Sequence, residues 1–356
     1  PAPSTPPPPN VTVYYTHIRP DIRPTQLWTL NDTDQRIFLS SKFTCTDFLI
    51  FNNAALLPFK SIRLDCTRAR QSQYDISFLR YLTRLTLSRV NGSSVVLPTS
   101  VVELQLFSSR SAVISEGACN ITKLSLAKSN LQSFCLPQLR SLVCSDMDVS
   151  LPLAEMQAET ITTVTTMTLD TKTLGNKLNL PLSLQEISLT LQWGIWSPDL
   201  FSRLTDLRRV TIVRSPEDVF VDISRVSTLT GFTALQPIPV CLPLTLVTCS
   251  LVIIRDLDLS SWTDLKELDV RMKTRAELNL PTGLESLTLK CDVIPPGNVL
   301  TVPLKKLTIK TKHRIDLQLI SKFSTTLQDV VGTFRRGVTL TEMKMVFPNI
   351  ENFGYL

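Results

Sequence analysis

Residues 180–191 read "LPLSLQEISLTL", and close variants return as "LPTSVVELQLF" from Leu97, "LPLTLVTCSLVI" from Leu242 and "LPTGLESLTLK" from Leu280. On a template with apolar residues at positions 1, 4 and 6, the first phrase gives Leu184, Ile187 and Leu189. The template also fits Leu82, Leu85 and Leu87; Val101, Leu104 and Leu106; Ile121, Leu124 and Leu126; and Leu207, Val210 and Ile212. It continues through Leu265, Leu268 and Val270; Leu284, Leu287 and Leu289; and Leu304, Leu307 and Ile309. Weaker copies start at Cys45, Phe59, Leu139, Val164, Val226, Leu246, Leu327 and Ile350. About sixteen copies result, with starts 18 to 25 residues apart from Leu82 onward. A steady period in this range marks a repeat architecture.

In an extended chain positions 4 and 6 face one way and position 5 the other. Position 5 is held by Thr86, Gln105, Ser125, Thr168, Ser188, Thr211, Ser250, Asp269, Thr288 and Thr308, all polar. One short, half-buried strand per copy follows. A single copy cannot bury its apolar edge, so the copies must stack on a shared core. Copies of 19 or 20 residues leave too little chain for a returning helix. Longer ones have room for a turn or two. "WSPDLFSRLTDL" offers Ser197 as an N-cap and Pro198 as the first helical residue, and "YDISFLRYLTRL" and "LISKFSTTL" show helical spacing.

The copies resemble the leucine-rich repeat, L-x-x-L-x-L-x-x-N-x-L, over roughly residues 43–356. The resemblance implies an α/β repeat solenoid: a horseshoe with a concave parallel β-sheet and a mostly irregular or short-helix convex side. It also implies a non-catalytic protein–protein interaction scaffold that holds a macromolecular partner on the concave face. The sequence departs from the family at position 9. Asn53 fits, but Thr67, Ser109, Ser129, Lys172, Gln192, Ser215 and Lys273 stand where asparagine is usual. Hydroxyls cap backbone less well than asparagine, so a less regular ladder is expected, and no subfamily is assigned.

Three segments follow. Residues 1–9 form a proline-rich linker, stiff and extended. Residues 10–42 do not repeat, carry Tyr14, Tyr15, Trp28 and Phe38, and are expected to cap the first repeat. Residues 43–356 are the solenoid, and the ending "FPNIENFGYL" on a strand suggests a natural chain that continues.

Of the 356 residues 43% are hydrophobic and 19% charged, the balance of a folded chain. The net charge of +6 comes from 37 basic residues interleaved with 31 acidic ones, so a nucleic-acid partner is not expected. No apolar run is long enough to span a bilayer. Among eight cysteines, Cys45, Cys144 and Cys249 fall on core positions and read as buried thiols. That favours the cytoplasm over a secreted or cell-surface location. Sequons at Asn10, Asn31, Asn91 and Asn120 keep open a second reading, a recognition ectodomain for glycans or host molecules.

With His17 and His313 as the only histidines, no metal site, cofactor or catalytic group is expected. Cys291 is placed near the outward face one repeat before His313, and His313 reads as an incidental surface residue. The candidate partner-binding residues come from columns, because one position in successive repeats stacks about 5 Å apart. Position 7 gives Arg271, Lys290 and Lys310, and position 2 gives Lys266, Glu285 and Lys305, with Lys306 and Lys312 beside the last. These define a basic patch for an acidic protein partner. Arg208, Arg209 and Arg214 form a weaker set. Phe107, with Phe51 and Val213 at the same position of other copies, is an apolar anchor candidate. The oligomeric state is left open.

Overall fold

The computed structural model describes residues 36–38, 61–65, 73–77, 82–90, 94–109, 112–114, 120–129, 131–133, 136–147, 164–171, 180–191, 201, 203–214, 220–293, 295, 299, 301–311, 315, 323, 326–332, 334 and 338–355. It divides into two units, Pro1–Leu184 and Gln185–Leu356.

In the first unit the main ladder runs β1 (Arg36–Phe38), β2 (Ser61–Asp65), β4 (Arg84–Ser88), β6 (Glu103–Phe107), β8 (Lys123–Ala127), β10 (Ser141–Met147) and β11 (Thr166–Thr171). Every neighbouring pair is parallel. A second parallel ladder, β3 (Gln73–Asp75), β5 (Ser94–Val96), β7 (Ala112–Ile114) and β9 (Leu131–Ser133), is built from the returning chain. β1 lies in the segment 10–42 expected to cover the first repeat, and it pairs with β2. The copy starting at Cys45 lies outside the described residues.

In the second unit the main ladder runs β12 (Glu186–Leu191), β13 (Arg209–Arg214), β15 (Gly231–Ala234), β17 (Thr248–Ile253), β19 (Glu267–Met272), β21 (Ser286–Lys290), β22 (Lys306–Lys310), β23 (Asp329–Gly332) and β24 (Asn352–Tyr355). These pairs are parallel too. The returning chain pairs β14 (Val221–Asp222) with β16 (Val240–Cys241), and β18 (Leu257–Asp258) with β20 (Leu278–Asn279). Among the described residues the single helix is α1 (Leu340–Val346), closed by a capping box between Thr339 and Glu342.

The described residues thus form a parallel β-solenoid with one short helix. Over β3, β5, β7 and β9 the return limb is a short parallel ladder rather than irregular chain, while α1 is a short helix on the return between β23 and β24. Runs such as Val95–Val96 and Val113–Ile114 are β-branched and too short for a helix, and they pair with their counterparts one copy away. "YDISFLRYLTRL" opens inside β3, while Ser197, Pro198 and most of "LISKFSTTL" lie outside the described residues.

The 1-4-6 template is the core. Leu104, Leu124, Ile187 and Leu287 are buried, as are their partners at positions 1 and 6. β6 and β8 alternate buried and half-exposed side chains. One register differs from the sequence expectation. The copy begun at Val226 is carried instead by Leu229, Phe232 and Ala234, with Phe232 the Cα partner of Val210 and Cys249. Val226 is also buried, in the turn before. Gly231 opens that strand because a Cβ there would meet Thr248 Oγ1 at 3.1 Å and Arg209 Cγ at 3.3 Å. At the position-6 glycine of a later copy, Gly332, the volume is filled by Phe334 and Ile315, each about 3 Å from where a Cβ would stand.

The recurrent phrase has a backbone reason. The proline carbonyl accepts the N–H of position 1, closing a four-residue turn: Val101 to Pro98 (3.2 Å), Leu184 to Pro181 (3.1 Å) and Leu284 to Pro281 (3.2 Å). The Ser or Thr just before position 1 donates its hydroxyl to the position-1 carbonyl of the preceding copy. The pairs are Ser100 to Leu82 (2.8 Å), Ser183 to Val164 (2.8 Å), Thr228 to Leu207 (2.9 Å), Thr245 to Leu229 (3.2 Å) and Thr326 to Leu304 (2.8 Å). L-P-x-[S/T]-L is therefore a turn plus a bond to the neighbour. The last two of the middle pairs also fix Leu229 as position 1.

Position 9 works by hydroxyl. Ser109 Oγ accepts Val90 N–H (3.1 Å) and donates to Phe107 O (3.1 Å). Ser129 Oγ accepts Ser109 N–H (2.9 Å) and donates to Ala127 O (2.8 Å). Just before them, Arg89, Ser108 and Lys128 all have left-handed backbone, φ 60°, 48° and 50°. That conformation is costly for residues with a Cβ, but it aims each N–H at the next copy's carbonyl: Arg89 to Phe107 (2.7 Å), Ser108 to Ala127 (2.8 Å) and Lys128 to Ser145 (3.0 Å). Over these copies the main ladder keeps register, whereas register shifts occur between β10 and β11 and between β12 and β13, as the missing asparagine led one to expect.

Candidate binding face

Positions 3, 5 and 7 alternate with the core positions of a strand, so parallel pairing turns them into columns, of which Ser88 and Val252 at position 7 are buried members. Register places Arg271 opposite Lys290 and Lys290 opposite Lys310. Arg271 and Lys310 are exposed. Lys290 is half-buried, and its Nζ lies 2.7 Å from Asp269 Oδ2, on the position-5 column of the preceding strand. That contact relieves the repulsion of three stacked cations.

The position-2 column is an alternating ion ladder. Glu285 Oε2 accepts from Lys305 Nζ at 2.8 Å, and Glu285 Oε1 lies 3.9 Å from Lys266 Nζ. Lys266 also donates to Gly283 O at 3.3 Å. The hydrogen bond from Lys305, with its charge, holds the Glu285 carboxyl below the usual range. Lys306, exposed, is the Cα partner of Ser286 and Asp329. Lys312 lies outside the described residues. In the weaker basic set, Arg209 is paired with Glu186 at 2.8 Å.

In the first unit Phe107 is 42% exposed at position 7, the Cα partner of Ser88 and Ala127. Beside it, Gln105 Oε1 accepts from Thr86 Oγ1 (3.2 Å), and Gln105 Nε2 donates to Glu103 (3.1 Å). Phe51 lies outside the described residues. In the second unit Val213 is 36% exposed at position 7, and Leu235, which the sequence reading missed, is 53% exposed at the same position of the next copy. The register slip hid it: starting the copy at Val226 puts Phe232 on that column.

Cys291 is buried rather than outward, and burial, with the Asp292 charge, pushes its thiol up to about 11. His313 lies outside the described residues. Burial pushes the Cys144 thiol up to about 12 and that of Cys249 higher. Cys144, Cys249 and Cys291 are buried without a disulfide, and Cys241 is exposed. Among the described residues no group of three or more His, Cys, Asp or Glu is placed to hold a metal ion, and no helix is long and apolar enough to cross a membrane.

No protein-family model matches the sequence, and no curated protein matches it. Among solved structures the chain is similar to a leucine-rich repeat protein of Leptospira interrogans, with 16% identity and a TM-score of 0.36 over 85% of this chain and 91% of that one. The 1-4-6 template, the parallel ladders and the position-9 bonds of this chain together make its solenoid leucine-rich repeat-like.

Proposed function

We propose that this chain is a non-catalytic interaction scaffold that holds a protein partner on the outward face of its main ladder, the face the leucine-rich repeat resemblance makes concave. The observation that carries this reading is the in-register stacking of cations on that face, with exposed Arg271 and Lys310 on either side of half-buried Lys290 in one column. Cationic and apolar groups repeated about every 4.8 Å on a rigid sheet are preorganised, so little side-chain ordering opposes binding. Phe107 is the proposed anchor of the first unit, and Lys266, Lys305 and Lys306 border the basic column of the second.

Site-specific photo-crosslinking tests this. A crosslinker at position 107 or 310 should capture partner protein, and one at Ser94 in the return-limb strand β5 should not. Equal capture from the return limb would overturn the assignment of the face.

A further inference from the structure

The position-7 column of the second unit changes character along its length. Val213 and Leu235 are exposed aliphatics on β13 and just after β15. Leu235 N–H bonds to Ile212 O at 2.9 Å, which ties the two copies together at this level. Val252 on β17 is next and is itself buried. It is the Cα partner of Arg271, which starts the run Arg271, Lys290, Lys310 on β19, β21 and β22. Apolar and basic halves thus form one strip across successive strands.

We infer that this strip docks an amphipathic helix with an aliphatic half and an acidic half, lying across the strands. This rests on the scaffold reading above and names the class of partner. Charge selects the acidic half. Arg271 and Lys310 have no ion-pair partner among the described residues, and Lys290 has only Asp269. Pitch selects the helix. Neighbouring strands are about 4.8 Å apart, and residues i and i+3 or i+4 of an α-helix rise about 4.5–6 Å, so one side chain per strand keeps step. Same-face residues of an extended peptide are about 6.7 Å apart and lose register within two or three strands. From Val213 to Lys310 there are five strand steps, roughly 24 Å, which a helix of about 16 residues covers.

A displayed library of randomised 18-mer peptides tests this, panned on the intact chain and counter-selected on the R271E/K290E/K310E variant. Survivors should place Asp or Glu at i, i+3 or i+4, and i+7, with an aliphatic pair about two turns away. A selected peptide should lose about tenfold or more in affinity for the triple variant and also for V213D/L235D. Survivors with i, i+2 alternation would overturn the helix while leaving the face reading standing. Survivors indifferent to V213D/L235D would overturn the composite strip. An absence of survivors would overturn this inference, and because crosslinking from position 107 reads the face independently, the scaffold reading would then stand or fall on that result.

Discussion

The backbone N–H of Ser109 donates to the Ser129 hydroxyl at 2.9 Å, and that hydroxyl in turn donates to Ala127 O. A side chain with one oxygen therefore does what the usual asparagine does with an amide. Both serines are buried, so the Ser109 N–H has no water as an alternative.

Ser129→Ala should destabilise the chain by about 1–3 kcal/mol, because it strands the buried Ser109 N–H, while Ala127 O keeps the Ser108 N–H. Chemical denaturation of the parent and variant reads this. A change under about 0.5 kcal/mol would show that the bond is dispensable.

Leu287→Ala should cost about 2–5 kcal/mol, since Leu287 is fully buried and its neighbours on both sides, Leu268 and Leu307, are fixed by pairing. Thr288→Ala, one residue on and half-exposed, should stay within about 0.5 kcal/mol. Equal losses would contradict the alternation on which the whole repeat rests.

Cys144 gives a pH dependence. Its folded thiol value is raised from 9.0 to about 12 by burial. A raised value means that the stability contribution is complete below about 9 and is lost as pH climbs from there toward 12. Denaturation midpoints should fall between about pH 9 and pH 12, less steeply in Cys144→Ala. In the native state at neutral pH, a thiol reagent should label Cys241 quickly and Cys144 and Cys249 only on unfolding.

Asp222 accepts from both the hydroxyl and the backbone N–H of Ser224, at 2.7 and 3.0 Å, and these bonds hold its carboxyl below the usual value. The contribution is present above the ordinary carboxylate range and is lost as pH falls through the depressed value. Carbon-detected NMR titration should show Asp222 titrating low, and Ser224→Ala should move it back up. An unchanged titration in the variant would assign the shift elsewhere.

The apolar template was legible because burial acts on every copy at once: Leu85, Leu104, Leu124 and Leu287 carry it unambiguously. At the Leu229 copy, Val226, Leu229 and Phe232 are all apolar at a spacing of three, and Gly231 and Ala234 are small. The template alone therefore slipped, and Leu235 was lost from the candidate face with it. The return-limb ladder was hidden because three-residue runs such as Ala112–Ile114 show no period of their own. The charge columns were legible as columns. Their neutralisation was not, since Lys290 meets Asp269 across two positions and two strands rather than along either one.

Among the described residues, wherever a Ser or Thr precedes position 1 its hydroxyl reaches back by one copy, as Ser100 does to Leu82 and Thr326 to Leu304. With the strand pairing, each unit of the solenoid is held to its neighbour by bonds that lie along the stacking direction. Under tension between the two ends such bonds are loaded in series, so the weakest step yields first and the remainder keeps its bonds. Stretched singly, the molecule should lengthen in a staircase, each step releasing one copy of some 20 residues and about 70 Å of contour.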